Sequence, residues 1–357
     1  LLGTMRVGDY SAGNLQVGGT GNVSSLTVDK SLTVASGELR WNSPVWVTVG
    51  DTLNLKGGVL RLYQNGQLKV KSLDLSTATN GMDDIRLDKG KIIIDGGSLK
   101  VPSAAFDLPS TNLYGPLTLQ LQNGATAQFP SALSVGKTGT ATVTQTDGVV
   151  NVASTLRLGH VKDPSKNIDA DGTYNLNGTG QLNANGSYMV VGYQGQGTVN
   201  LNGGTNRASK YLYLGETSTG RGTYNVNSGT LSVADGLYIG GNSGGAGGTG
   251  TLTLAGGNTT VTNTLKLWNQ GTLNYNGGSL SVGALDRRVG TFNWPSGILT
   301  FTQELLTATD APFGSAVTLA ANQTLAATAG VRVGAGGSFT AGSGSKLDAS
   351  GKALLVG

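Results

Sequence analysis

The chain of 357 residues contains no cysteine and a single histidine, His160. The absence of cysteine excludes disulfides, Cys-His catalysis and thiolate metal sites. We also expect neither a Ser-His-Asp triad nor a histidine-based metal site, and we interpret His160, which follows Leu158-Gly159, as a solvated corner residue. The absence of cysteine fits an exported bacterial surface protein, although it fits a cytosolic protein as well.

Charged residues are also scarce, at 12% of the chain, and the net charge is +4. No basic run interleaves with aromatic residues, so we expect no nucleic-acid partner. No stretch of about 18 apolar residues exists, so we expect no membrane-spanning segment. Leu1-Leu2-Gly3 lacks the charged leader and apolar core of a secretion signal, so we expect any such signal to lie outside this sequence.

Glycine, in contrast, is abundant, with 59 residues. Glycine supplies the positive φ that tight corners need, and asparagine tolerates it. There is no Gly-x-y register, only 8 residues are proline, and the 38% of residues that are hydrophobic alternate with polar ones. These features argue against collagen and against disorder, and they predict a folded chain with many tight corners.

Between Gly139 and Gly290 the dipeptide Gly-Thr opens a run of alternating residues seven times, at Gly139, Gly172, Gly197, Gly222, Gly250, Gly271 and Gly290. Successive copies are 33, 25, 25, 28, 21 and 19 residues apart, a period typical of stacked coils that share one core. In the unit that begins at Gly222, residues 223–226, 231–233 and 237–239 alternate polar and apolar, and Gly-containing corners separate them. We therefore predict three short strands per coil.

Because side chains alternate across a strand, we expect two inward rows and one outward row in these coils. The first inward row is Tyr174, Val199, Tyr224, Leu252, Leu273 and Phe292, the second is Leu176, Leu201, Val226, Leu254, Tyr275 and Trp294, and the outward row is Asn175, Asn200, Asn225, Thr253, Asn274 and Asn293. The pattern is most regular over residues 139–300 and less regular over 1–138 and 301–357. We predict an all-β solenoid forming a single elongated domain over residues 1–357.

Residues 197–215 and 222–240 each run Gly-Thr, alternating strand, Gly-containing corner, second strand and apolar-Gly ending. These units resemble the repeats of autotransporter passenger domains and, equally, those of PEP-CTERM-type bacterial surface proteins. The resemblance covers roughly residues 130–300. It implies a right-handed parallel β-helix displayed outside a bacterial cell in adhesion, matrix or surface-layer roles. We expect this chain to depart from the autotransporter pattern, in which a membrane-barrel segment follows the passenger domain, and the secretion route stays open.

One short segment matches half of a calcium loop. Asn167, Asp169 and Asp171 occupy alternate positions before Gly172, and oxygen ligands in this arrangement converge on a hard cation. Gly178 stands where such a loop has its bidentate glutamate. We favour an Asx-rich turn that closes the longest interval between repeats, with bound calcium as the alternative. No other cofactor is expected.

Two outward surfaces are candidates for binding. Tyr211, Tyr213 and Tyr238 fall close together in the repeat, and exposed tyrosines stack on sugars or pack against a second rod. Asn200 and Asn225 on the outward row complete this candidate surface, although strand propensity and a solvated ladder explain all five residues nearly as well. A file of threonines about 4.8 Å apart makes ice binding a minor alternative; it comprises Thr173, Thr198, Thr223, Thr251, Thr272 and Thr291.

Neither end of the sequence shows a helix or charged segment that would cover the last coil, so we expect head-to-tail stacking of copies. The predicted function is a non-enzymatic, extracellular structural subunit of a homopolymeric filament, sheath or matrix. One alternative is an adhesin that binds glycans or host surfaces. Another is a polysaccharide lyase or hydrolase, for which we take the acidic cluster of Asp83, Asp84 and Asp88 to be a charged surface loop rather than a catalytic centre.

Overall fold

A computed structural model describes residues 5–7, 14–17, 25–35, 38–41, 46–62, 66–77, 85–87, 90–108, 116–163, 168–349 and 351–357. The described part is all-β without a helix, and its parallel strands stack as a β-solenoid of about 12 turns. The predicted fold class is confirmed. The chain divides into two compact units, Leu1–Asn185 and Gly186–Gly357, which are taken one at a time below. The single-domain organisation stays a prediction.

The strands of the first unit are β1 (Met5–Val7), β2 (Asn14–Val17), β3 (Ser25–Val28), β4 (Leu32–Val34), β5 (Glu38–Trp41), β6 (Trp46–Leu55), β7 (Val59–Leu62), β8 (Gln67–Asp74), β9 (Ile85–Leu87), β10 (Lys91–Asp95), β11 (Ser98–Lys100), β12 (Phe106–Leu108), β13 (Leu117–Gln122), β14 (Thr126–Phe129), β15 (Leu133–Val135), β16 (Thr140–Gln145), β17 (Val149–Val152), β18 (Leu156–Leu158), β19 (Lys162–Asp163), β20 (Ile168–Asp169), β21 (Asp171–Leu176) and β22 (Gln181–Ala184).

Parallel pairing arranges the first unit in three faces. Face one contains β3, β6, β8, β10, β13, β16 and β21 in that order. Face two contains β1, β4, the ends of β6 and β8, and then β11, β14, β17 and β22. Face three is formed by β2, β5, β7 and β9 and by β12, β15 and β18. The short β19 and β20 pair antiparallel, so the longest interval between repeats contains a small hairpin.

The strands of the second unit are β23 (Tyr188–Val191), β24 (Gln196–Ala208), β25 (Tyr211–Leu214), β26 (Arg221–Val233), β27 (Leu237–Ile239), β28 (Thr249–Leu254), β29 (Asn258–Leu267), β30 (Gly271–Tyr275), β31 (Ser279–Asp286), β32 (Thr291–Asn293), β33 (Gly297–Phe301), β34 (Leu305–Thr307), β35 (Ala316–Leu319), β36 (Gln323–Ala327), β37 (Val331–Val333), β38 (Ser338–Ala341), β39 (Lys346–Asp348) and β40 (Leu354–Val356).

The second unit has the same three faces. Face one pairs β24, β26, β28, β30 and β32, and face two pairs the later parts of β24 and β26 with β29, β31, β33, β36 and β39. Face three pairs β23, β25 and β27 with the ends of β29 and β31. Long strands such as β24 and β26 turn the corner between faces one and two through a register shift. The predicted three strands per coil are thus confirmed.

The inward and outward rows of the second unit follow the sequence prediction. Val199, Tyr224 and Leu252 are in register with one another and are fully buried. Asn200 and Asn225 are in register on the opposite side of the same strands. Alternation along each strand therefore decides which side chains enter the core.

A glycine corner explains why the repeat begins with Gly-Thr. A Cβ atom on Gly222 would lie 2.0 Å from the carbonyl oxygen of Val191 and 2.5 Å from the amide nitrogen of Gly215. Gly192, which follows Val191, adopts a φ of 74° and would meet the backbone of Arg221 at 2.2 Å if it carried a Cβ atom. The backbone of face three comes so close to the start of face one that only glycine fits.

Tyrosines that point into the core have partners for their hydroxyl groups. Tyr174 donates to Oε1 of Gln145 at 2.7 Å, and Tyr224 donates to Oδ1 of Asn206 at 2.7 Å. All four side chains are fully buried. Burial raises the pKa of both tyrosines well above the usual value, so the hydroxyls stay protonated donors.

At β32 the two inward rows are no longer covered by a hydrogen-bonded strand. Phe292 pairs with Leu273 as predicted, but Phe292 is only half-buried, and Trp294 lies after the end of β32. The next strand on this side is β35, which pairs with β38 in a separate two-stranded sheet and not with β32. Both aromatic side chains continue the predicted inward rows, but they are only half-buried because β35 does not pair with β32 and cover them.

Candidate functional site

A group of tyrosines lies on the outward side of face three in the second unit. Leu212 and Leu214 of β25 are fully buried, so Tyr211 and Tyr213, which alternate with them, lie on the opposite side of the strand. The parallel register places Tyr188 of β23 beside Tyr211 and places Tyr238 of β27 beside Tyr213. We call these four tyrosines the aromatic platform.

The rings of the platform lie side by side rather than stacked in a column. The ring centroids of Tyr188, Tyr211 and Tyr213 are 5.6–6.1 Å apart in all three pairs, and the ring planes are within 33° of parallel. In a column the outer two rings would be about twice as far apart as neighbours, so the three rings lie side by side. Tyr238 meets the rings of Tyr211 and Tyr213 edge-on, at 67° and 65°. These offset and edge-to-face arrangements are favourable for aromatic groups.

Access to solvent differs among the four rings. Tyr188 is 42% exposed, whereas Tyr211 and Tyr238 are half-buried. Tyr213 is only 2% exposed, and its hydroxyl lies 3.2 Å from Oγ of Ser243. Tyr213 is therefore enclosed, and the other three rings are the part that a ligand can reach.

Polar groups border the platform where the chain turns from face two to face three. Nδ2 of Asn263 donates to Oδ1 of Asp235 at 2.8 Å. The Nζ atom of Lys210 lies 4.9 Å from the ring centroid of Tyr211. A hydrogen bond to Asp235 is the first cause that raises the pKa of Tyr211 above its usual value. The platform thus combines ring surface with a carboxylate, an amide and an ammonium group.

The repeat pattern of the sequence does not mark these bordering residues. Asp235 and Lys210 lie in the corners that precede face-three strands, and Asn263 lies inside β29 where the chain turns into that face. Side chains at such corners lie beside the outward row of the following strand. A search for polar residues one to three positions before each face-three tyrosine would have found Asp235 and Lys210.

The outward row continues past the platform with charged groups. Tyr238 is in register with Lys266, which is in register with Asp286. The Nζ atom of Lys266 lies 4.0 Å from the ring of Trp268 and 3.3 Å from a carboxylate oxygen of Asp286. These contacts hold the lysine between Trp268 and the neighbouring strand β31, so we place the border of the platform at Tyr238.

Asn200 and Asn225 lie on face one, not beside the tyrosines. Nδ2 of Asn225 donates to Oδ1 of Asn200 at 2.9 Å, and Asn293 donates to Asn274 in the same way at 2.8 Å. The candidate surface named in the sequence is therefore divided between two faces. The amides of this row bond to one another along the stack, which favours a structural ladder.

The threonine file has the predicted register. Thr198, Thr223, Thr251, Thr272 and Thr291 are aligned on consecutive strands of face one in the second unit. The asparagine ladder lies two residues further along the same strands. Ice binding by this face stays a minor prediction.

The candidate calcium ligands can be placed only in part. Asn167 lies outside the described residues, as do Asp83, Asp84 and Asp88. The backbone of Asp169 pairs with Lys162 in the hairpin, and Asp171 begins β21. In the described part of the chain no group of three or more His, Cys, Asp or Glu side chains is arranged to hold a metal ion. Calcium binding by Asn167, Asp169 and Asp171 stays a prediction.

His160 is less solvated than we expected. Its ring is half-buried, and Nδ1 lies 3.1 Å from Oγ of Ser134, a side chain that is only 2% exposed. Burial, followed by the positive charge of Arg157, lowers the pKa of His160. Nearby, Lys137 forms an ion pair with Asp107. Because the serine hydroxyl is enclosed, this pair is suited to holding the corner together rather than to nucleophilic attack.

Comparisons with known proteins give no match to a family model, to a curated protein or to a solved structure. In the part that the structure describes, no helix has the length and apolar character needed to cross a membrane. The geometry of the described surfaces is therefore the basis for assigning a function.

Proposed function

We propose that this chain is a non-enzymatic β-solenoid scaffold whose aromatic platform binds glycans, as an adhesin does. The observation that carries the proposal is the exposure of the platform: Tyr188 keeps 42% of its surface in contact with solvent beside two half-buried rings. Contiguous exposed aromatic surface marks interaction sites on soluble proteins.

The border of the platform supports a sugar as the ligand class. Tyrosine rings offer apolar surface to the C–H groups of a sugar, and the hydroxyls, the Asp235 carboxylate and the Asn263 amide supply donors and acceptors for its hydroxyl groups. The negative charge of Asp235 is matched by the positive charge of Lys210. We therefore propose neutral rather than strongly charged glycans.

Display on the surface of a bacterial cell is part of this proposal and is supported by the sequence resemblance alone. Assembly of copies into a filament, sheath or matrix stays a prediction, and it is compatible with a binding role. A second copy packed laterally on the platform is the main competing occupant, and the experiment below separates it from a glycan.

The test is an array of neutral and acidic glycans probed with the wild-type chain and with the double variant Tyr188→Ala/Tyr211→Ala. We expect the wild type to bind neutral glycans. The double variant should bind them with an affinity that is lower by about tenfold or more, because aromatic anchors dominate such interfaces. Trp46→Ala is the matched control, since Trp46 is 50% exposed and lies in the other unit. It should bind as the wild type does.

Three results would contradict the proposal. The first is a wild-type chain that retains no glycan, and the second is a double variant that binds unchanged. The third is a double variant whose main change is lost self-association in analytical ultracentrifugation, which would assign the platform to contacts between copies. Release of shortened oligosaccharides from a bound glycan would contradict the non-enzymatic part.

A further inference from the structure

A cavity of about 100 Å³ opens where the face-one ladder of the second unit is interrupted. Phe292 and Trp294, from β32 and the residue that follows it, line one side, and Val317 and Leu319 of β35 line the other. Arg287 also lines this cavity. The cavity lies between two strands that do not pair, so the side chains and not the backbone form its walls.

Arg287 is held in place by contacts that leave most of its guanidinium group unused. Its Nε atom donates to the carbonyl oxygen of Phe313 at 2.6 Å, and its backbone N–H donates to Pro312. The guanidinium carbon lies 4.3 Å from the ring centroid of Phe313 and 5.9 Å from that of Phe292. Within the described residues, the Nη1 and Nη2 groups have no hydrogen-bond acceptor.

No carboxylate balances this charge. Asp286, the neighbouring residue, pairs with Lys266 at 3.3 Å and with Arg288 at 2.9 Å. Among the described residues no acidic side chain lies within ion-pair distance of Arg287. Burial lowers the pKa of Arg287, in agreement with a cation that is desolvated and not paired. A half-buried cation without a partner carries a free-energy cost that an anionic ligand would relieve.

A second donor on the cavity wall also lacks an acceptor. Nε1 of Trp294 is buried and forms no hydrogen bond with any described residue. Gln323, another wall residue, has a hydrogen bond on each polar atom of its amide: Nε2 donates to the carbonyl oxygen of Trp294, and Oε1 accepts from the backbone of Ala320. The unused polar groups on Arg287 and Trp294 are therefore all donors.

From these contacts we infer that the cavity is a binding site for a carboxylate group. A carboxylate accepts two parallel hydrogen bonds from a guanidinium fork, here from the Nη1 and Nη2 groups of Arg287. A water molecule occupies about 30 Å³, so the cavity has room for the carboxylate and a few adjoining carbons. The rings of Phe292 and Phe313 suit a ligand with apolar carbons next to its charge. This site is separate from the aromatic platform and does not depend on the function proposed for it.

Two sources would present this chemistry: a free small acid and the carboxylate of an acidic sugar. We would titrate the full chain with sodium acetate and with sodium glucuronate and follow indole N–H signals by NMR, identifying Trp294 by comparison with Trp294→Phe. Either acid should shift the Trp294 signal saturably. If acetate binds and glucuronate does not, the source is a free small acid, and if glucuronate binds more tightly, the source is an acidic sugar.

Arg287→Met should weaken binding about tenfold or more, because it removes the guanidinium fork and keeps a chain of similar length. Arg288→Met is the matched control, because Arg288 is exposed and already paired with Asp286. It should bind as the wild type does. The amide spectrum away from the cavity should be unchanged in both variants, which shows that they are folded.

The inference is overturned if neither acid produces a saturable shift or if Arg287→Met binds as tightly as the wild type. It is also overturned if glucose, chloride or inorganic phosphate shifts the Trp294 signal as strongly as the carboxylates do. Those three results would indicate a cavity that holds water or anions without selectivity for a carboxylate.

Discussion

At the scale of single residues, tyrosine occupies two kinds of position in the second unit. Tyr224 and Tyr275 point into the core, where Tyr224 donates to Asn206 and Tyr275 donates to the carbonyl oxygen of Ile298, whereas Tyr188, Tyr211 and Tyr238 lie on the outward side. One step along a strand separates the two environments, because successive side chains point to opposite sides. The same residue type therefore fills the core at one position and lies on the outward side at the next.

This difference gives a stability prediction. Tyr224→Phe keeps the ring and removes the hydroxyl that donates to Asn206, so we expect the free energy of unfolding to fall by about 1–2 kcal/mol. Tyr238→Phe, with its half-buried ring on the outward side, should change it by less than about 0.5 kcal/mol. Denaturant unfolding of both variants measures the difference. Equal effects of the two substitutions would show that the buried hydrogen bond contributes nothing specific.

Alternation also sets what the sequence could predict at this scale. The inward and outward rows around Tyr224 and Asn225 follow from alternation alone, and the structure confirms them. Which outward residues touch one another depends on how faces are assigned along the chain. That is why Asn200 was grouped with tyrosines that lie on a different face, and why the polar border at Asp235 was missed.

At the scale of elements, the corner between face three and face one determines the repeat signature. Gly222 lies so close to the backbone of the preceding face-three strands that a Cβ atom would be 2.0 Å from the oxygen of Val191. The Gly-Thr signal in the sequence is therefore a packing requirement at a corner. By contrast, no comparable signal marks the interruption between β32 and β35, since each strand alternates normally and only their pairing fails.

Substitution at this corner should be costly. We expect Gly222→Ala to lower the free energy of unfolding by about 1–3 kcal/mol or more, because the backbone must move to admit the methyl group. Gly245→Ala is the control, since nothing lies within 4 Å of the position that its Cβ atom would occupy. Thermal unfolding followed by circular dichroism compares the two. A Gly222→Ala protein as stable as Gly245→Ala would contradict the close approach seen at the corner.

At the scale of the whole molecule, equivalent positions on successive coils line up on one face because the strands are parallel and stacked. The same type of outward residue can therefore recur along that face. Face one of the second unit repeats asparagine and threonine, and the side-chain amides of neighbouring asparagines bond to one another. Face three carries the tyrosines of the aromatic platform. Function in such a fold belongs to a particular face, and the fold alone does not identify that face.

The central claim is that the aromatic platform is the surface through which this chain binds a glycan. The most direct test is NMR of the chain with ring-labelled tyrosine, titrated with a neutral glycan retained on the array. We predict saturable shifts for Tyr188, Tyr211 and Tyr238 and unchanged signals for the buried Tyr174, Tyr224 and Tyr275. Glycan binding that leaves the three platform rings unshifted would contradict the claim.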